Sequence, residues 1–215
     1  MNTASGKNRG YFKIKGASSA FNFDFKGKTV LDIGSSTGGF TKYALDQGAK
    51  KVIAIEKGTN QMIPALKNDP RVDLHEKTDI FDYKCTPHIA AQDVTTLCAV
   101  NQDTTSHVTA SDSAIPDVIL ADVSFLSLTN ILKYAKMNLS RSDTDFLVML
   151  KPQFEARPHQ LNNGIVKNEK MRRDIIKTFE HWLKDNGFII VNKKDNDLHG
   201  RHGNTERFYW LKREK

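Results

Sequence analysis

Residues Thr29–Thr41 read TVLDIGSSTGGFT. Thr29, Val30, Leu31 and Ile33 have strand character, and a glycine-containing turn, Gly34-Ser35-Ser36-Thr37-Gly38-Gly39, follows them. A helical pattern starts at Phe40. A strand, a tight glycine turn and a helix start let bare backbone approach a nucleotide-type ligand. The spacing narrows the ligand. A phosphate-binding P-loop closes on Gly-Lys-Ser/Thr, but Phe40 follows Gly39 here. The dinucleotide fingerprint is G-x-G-x-x-G, whereas these glycines stand at 34, 38 and 39. The pattern that remains, D-x-G-x-x-x-G-G from Asp32 to Gly39, suits a cofactor whose sugar and amino-acid parts lie over the loop. It predicts that Asp32, Gly34, Ser35, Ser36, Thr37, Gly38, Gly39 and Phe40 surround the cofactor.

Outward from that loop, apolar runs alternate with helical patterns. Strands are predicted at 29–33, 51–55, 71–76, 117–121, 145–150, 188–192 and 207–212. Helices are predicted over 9–21, 39–47, 61–67, 86–100, 126–139 and 168–187, and a loop over 153–167. Continuous apolar strands separated by helices indicate an α/β fold with a mostly parallel sheet covered on both faces. The 215 residues suit a single domain, 1–215. Within it, residues 1–28 form an N-terminal segment with a short helix, and the polar 84–115 stretch is an insertion between strands three and four.

Composition sets limits. A hydrophobic content of 39% and a charged content of 27% are those of an ordinary globular chain. The net charge of +7 and pI near 9.3 favour an anionic partner such as nucleic acid. Cys85 and Cys98 lack metal-ligand spacing and read as free thiols, so no metal is expected. No signal-peptide core and no run of about 18 apolar residues is present, so a cytoplasmic location without membrane contact is expected.

Charged residues stand at the strand ends. Glu56, closing the second strand, is placed to accept from ribose hydroxyls. Asp79, just past the third, is placed to accept from an adenine amino group. Asp122 and Lys151 close strands four and five, which would be neighbours roughly 5 Å apart. Asp122 alone favours a charged ammonium, so a basic role for Lys151 requires a second cation, for which Lys13 is the candidate.

The runs VLDIGSSTGGFTKYALDQGAKKVIAIEKGTNQM, PDVILADVSFLSL and LVMLKPQFEA together resemble the haemolysin A/TlyA family of ribosomal RNA methyltransferases. That family is similar to the wider FtsJ-type 2′-O-ribose methyltransferases. The resemblance implies a Rossmann-like methyltransferase fold of seven strands, the last antiparallel. It implies S-adenosylmethionine (SAM) as cofactor, the D-x-G-x-x-x-G-G run matching the first motif of SAM methyltransferases, S-adenosyl-L-homocysteine as product, and rRNA or a ribosomal subunit as partner. It also implies a Lys-Asp-Lys-Glu tetrad. Lys13 lies in Asn8-Arg9-Gly10-Tyr11-Phe12-Lys13, Asp122 and Lys151 close their strands, and Glu206 ends Asn204-Thr205-Glu206. Asp122 would also touch the cofactor.

The mechanism so implied is in-line displacement, with a ribose 2′-hydroxyl attacking the SAM methyl. The S4-like RNA-binding domain common in the family is not expected in this chain. RNA would instead be held by basic clusters at Lys7–Lys15, at Lys167, Lys170, Arg172 and Arg173, and at Arg201, His202 and Arg207, or by a partner. Competing readings are the same cofactor with a tRNA, cap or protein acceptor, a non-catalytic RNA-binding module, and a membrane-lytic protein.

Overall fold

The computed structural model describes residues 9–85, 115–198 and 203–214. Five segments form its parallel strands: β1 (Thr29–Ile33), β2 (Lys51–Ile55), β3 (Val72–His75), β4 (Val118–Ala121) and β5 (Asp145–Leu150). β1 pairs with both β2 and β4, β2 with β3, and β4 with β5. Two later strands, β8 (Phe188–Asp195) and β9 (Arg207–Arg213), complete the sheet. β9 runs antiparallel beside β5, and β8 antiparallel beside β9. The order across the sheet is β3-β2-β1-β4-β5-β9-β8.

Alternation along each strand splits the core in two. Val30 faces α1 (Arg9–Phe21) and α2 (Gly39–Asp46), packing with Ile14, Phe21, Phe40 and Tyr43. Leu31 and Ile33 face α4 (Leu128–Asn138) and α6 (Glu169–Asp185), packing with Ile131, Leu132, Ile176 and Phe179. Every residue of β4 and β5 is buried, which is why both read as unbroken apolar runs. α4 and α6 start on side-chain caps. Ser127 accepts from the Thr129 backbone N–H ahead of α4, and Asn168 accepts from Met171 ahead of α6 at 2.9 Å.

Three expectations need correction. The helix predicted over 61–67 shrinks to α3 (Pro64–Lys67), because Pro64 forces Ile63 into extended backbone. The predicted loop 153–167 is structured. It holds α5 (Pro152–Glu155), a 3₁₀ turn (Pro158–Gln160) and a hairpin, β6 (Leu161–Asn162) and β7 (Ile165–Val166). Asn163 and Gly164 join those two strands with φ of 48° and 78°, the two-residue turn that suits the twist of a hairpin. The strand starting at Phe188 continues to Asp195, past an irregularity between Ile190 and Asn192. The helix predicted over 86–100 and most of the 84–115 insertion fall outside the described residues. Among the described residues, no helix is long and apolar enough to cross a membrane.

Candidate active site

The carboxyl ends of β1, β4 and β5 open onto a cavity of about 630 Å³. Gly34, Ser35, Ser36, Thr37, Gly39 and Phe40 form one wall. The opposite wall holds Asp122, Ser124 and Phe125 after β4, and Lys151, Gln153 and Phe154 after β5. Arg9, Gly10 and Lys13 of α1 close the mouth, with Asn163 and Gly164 of the hairpin and Asn204 and Glu206 ahead of β9.

The glycine loop is built by close approach. Gly34 has φ of 80°, and a Cβ there would lie 3.2 Å from the Asp122 carbonyl oxygen. The Gly34 N–H donates to Ile55 O at 2.9 Å, which ties the loop to the end of β2. A Cβ on Gly39 would meet the Tyr11 backbone nitrogen at 2.8 Å, so only glycine lets α1 run in against the start of α2. Gly38 precedes α2 as its N-cap and does not line the cavity.

The predicted cofactor acids divide. Asp32 is 1% exposed and lies beneath the loop, where its carboxylate accepts from Thr41 Oγ1 at 2.6 Å. Burial, with Asp122 and Glu56 adding like charge, pushes its pKa up to about 7, against the Thr41 hydrogen bond. Glu56 accepts from the Ser36 N–H at 2.8 Å and the Gly58 N–H at 2.7 Å, fastening the loop to the end of β2. Asp79 pairs with Lys57 at 2.9 Å, and that ammonium holds its carboxyl below the usual range. None of these three lines the cavity.

The tetrad residues, by contrast, converge as two ion pairs on one cavity. Lys151 Nζ stands 2.6 Å from Asp122 Oδ1 and donates to Ser124 Oγ at 2.9 Å, with the Phe154 ring centre 5.9 Å away. Lys13 Nζ stands 2.6 Å from Glu206 Oε2, their side chains 9% and 4% exposed. Asn196 donates its backbone N–H to the Glu206 carbonyl at 2.8 Å, holding that strand end in place. Buried charges persist where each is matched, and here Lys151 and Lys13 each have a carboxylate of their own.

The loop wall fits the nucleoside-like cofactor that the fold implies. It presents bare backbone at Gly34 and Gly39, the cavity's volume lies in the range of small-molecule sites, and the buried Ser35 hydroxyl has no hydrogen-bond partner among the described residues. Cys85 offers no rival chemistry, since burial pushes its thiol up to about 11.

The FtsJ-like methyltransferase family matches residues 7–213. The chain belongs to that family. A 16S/23S rRNA (cytidine-2′-O)-methyltransferase, TlyA, of Mycobacterium tuberculosis is 33% identical over 205 residues, covering 95% of this chain and 67% of that protein. Hemolysin A of Brachyspira hyodysenteriae is 33% identical over 195 residues, covering 90% of this chain and 71% of its own length. A solved structure from Streptococcus thermophilus, provisionally named a hemolysin, superposes with a TM-score of 0.80 at 30% identity. It is covered over 66% of its length, by 96% of this chain. The chain thus spans about two thirds of the mycobacterial and streptococcal proteins. An S-adenosylmethionine-dependent methyltransferase from Mesorhizobium loti shares the fold, with a TM-score of 0.58 at 12% identity over 92% of this chain and 96% of that one.

In this FtsJ-like methyltransferase, several cavity residues lay outside the sequence reading. Ser124, Phe125, Gln153, Phe154 and Asn204 were visible only as members of the VSFLSL, KPQFEA and N-x-E runs. The basic clusters are also thinner than expected. Arg172 is buried and donates to Asp195 at 2.6 Å and to the Thr205 carbonyl at 3.2 Å. Arg207 is likewise committed to Asp195 at 2.5 Å. Lys7, Arg201 and His202 lie outside the described residues.

Proposed function

We propose that this protein is a SAM-dependent rRNA methyltransferase acting on a ribose 2′-hydroxyl. The reading takes the chain as one methyltransferase domain at work in the cytoplasm, on rRNA or a ribosomal subunit. One observation carries it: Lys151–Asp122 and Lys13–Glu206 face the same cavity as the glycine loop. The relatives named as rRNA (cytidine-2′-O)-methyltransferases support the choice of acceptor.

Bound against Gly34–Phe40, SAM would supply an activated methyl group on its sulfonium. Asp32 and Glu56 would act on the loop rather than on the ligand, the first through Thr41 and the second through Ser36. Lys151 would orient the 2′-hydroxyl and take its proton at Nζ. Asp122 and Ser124 fix where that nitrogen points. Lys13, held by Glu206, would help hold the RNA at the cavity. Much of the acceleration would come from placing hydroxyl and methyl in line.

The test is transfer of labelled methyl from SAM to ribosomal subunits or naked rRNA, with nucleoside mass spectrometry of the product. A 2′-O-methylated nucleoside is expected. Product methylated only on a base, or no transfer, overturns the reading.

A further inference from the structure

Residues 152–166 make one wall of the cavity through Gln153, Phe154, Asn163 and Gly164. Two side chains outside the tetrad fasten that wall. At its start, Glu155 reaches from α5 to the turn after β4. Its Oε2 accepts from Ser127 Oγ at 2.7 Å, and its Oε1 from the Leu128 backbone N–H at 2.6 Å. That turn carries Asp122 and Ser124, the two partners of Lys151. It also holds Phe125 at φ of 65°, a left-handed conformation that persists in a bulky residue only where neighbours over-determine it.

At the far end, Asn204 is 6% exposed. Its Oδ1 accepts from the Val166 backbone N–H at 3.0 Å, and its Nδ2 donates to the Gly164 carbonyl at 3.0 Å. Glu206 lies two residues further on. One wall is thereby joined to both ion pairs, through Glu155 on the Lys151 side and Asn204 on the Glu206 side.

The wall is poorly held without them. β6 and β7 have two residues each, and a lone hairpin of that size has little stability of its own. Its Ile165 is 38% exposed, so apolar packing anchors it weakly. The glycine loop has separate moorings in Glu56, Thr41 and α1.

We propose that Glu155 and Asn204 are positioning residues that fix residues 152–166 as the wall against which the RNA acceptor nucleotide is held. Glu155 acts through Ser127 and Leu128, and Asn204 through Val166 and Gly164, not through the cofactor. The inference rests on the RNA methyltransferase reading above.

The test uses the full chain and the variants Asn204→Asp, Glu155→Ala and Glu155→Gln. Four quantities are measured: kcat/KM for rRNA, SAM affinity by calorimetry, Tm, and hydrogen exchange at residues 161–166. Asn204→Asp is isosteric but sets a carboxylate oxygen against the Gly164 carbonyl. It is expected to lower kcat/KM for rRNA roughly 10- to 100-fold, the scale of a small misplacement, and to speed exchange in the hairpin. SAM affinity should stay within about twofold, far below the tenfold change that 1.4 kcal/mol represents. Glu155→Ala should lower kcat/KM likewise. Glu155→Gln should restore it, because its oxygen can accept from Leu128 N–H and its amide can donate to Ser127 Oγ.

Unchanged kcat/KM in Asn204→Asp and Glu155→Ala overturns the proposal. So does a parallel loss of SAM affinity and Tm, which marks general damage, or failure of Glu155→Gln to rescue. If the unaltered protein makes no 2′-O-methylated product, the function reading fails instead. Hydrogen exchange then still decides whether the two residues hold the wall.

Discussion

The Tyr11 backbone nitrogen lies so close to Gly39 that a Cβ on that glycine would stand 2.8 Å from it. This contact seats the first turn of α1 on the glycine loop and brings Arg9 and Lys13 into the cavity wall. The obstacle is main chain, which cannot swing aside as the end of a side chain can. Gly39→Ala should therefore destabilise the protein by about 1–3 kcal/mol, the range for overpacking, and weaken SAM binding as well. Urea denaturation and calorimetry check both. Full stability in the variant would show that α1 can move away at no cost.

Lys13 and Glu206 form a buried pair, so deleting one partner leaves a charge without compensation. Lys13→Met should cost about 3–5 kcal/mol, and Glu206→Gln a similar amount. The double variant should recover most of that loss, since no charge is then stranded. A double-mutant cycle from denaturation midpoints measures the coupling. Strictly additive losses would contradict a direct pair at 2.6 Å.

Lys151→Ala should abolish methyl transfer by at least ~10²-fold, the lower range for loss of a positioned proton acceptor. SAM affinity should survive, because the loop wall does not depend on that side chain. Single-turnover transfer and calorimetry separate the two effects. Retained transfer would assign proton removal to another group.

Asp32 gives a pH signature. Its folded pKa, about 7, lies above the ordinary carboxyl value of 3.8, because burial and the nearby Asp122 and Glu56 disfavour the charge. Its contribution to stability is therefore fully present below about pH 4 and is lost as pH rises to about 7. Above that the contribution is flat. Asp32→Asn keeps an acceptor for Thr41 and should remove this part of the slope, raising Tm relative to the parent at pH 7.5. Thermal melts from pH 4 to 8 check it. Parallel curves would mean that Asp32 titrates normally.

The strand ends were readable because double burial turns a strand into an apolar run with polar ends. VLDI, VILA and LVML delivered Gly34, Asp122 and Lys151 in that way, and the sheet set the last two side by side. Periodicity could not say which acids meet a ligand. Asp32, Glu56 and Asp79 all lie at or near strand ends, yet each is engaged by Thr41, by Ser36 and Gly58, or by Lys57. Lys13 entered only as a candidate second cation, and Glu206 came through resemblance alone, since an ion pair between the first helix and the residue ahead of the last strand leaves no local pattern. The hairpin carried a usable signal, Asn163-Gly164 between apolar neighbours, but two-residue strands are too short to alternate. Glu155 and Asn204 act over 27 or more positions through single polar contacts, which no window along the chain records.

The place of β9 also bears on the order in which the molecule can be finished. All six residues of β5 are buried, and the edge of β5 away from β4 is paired only by residues 207–211. During synthesis that apolar edge stays open until the final strand emerges, and open edges invite association with other chains. β9 then slots between β5 and β8 and brings Glu206 to Lys13 in the same movement. Closure of the sheet and completion of the site depend on the same residues, so a chain shortened before residue 206 should leave both the β5 edge and Lys13 unpaired.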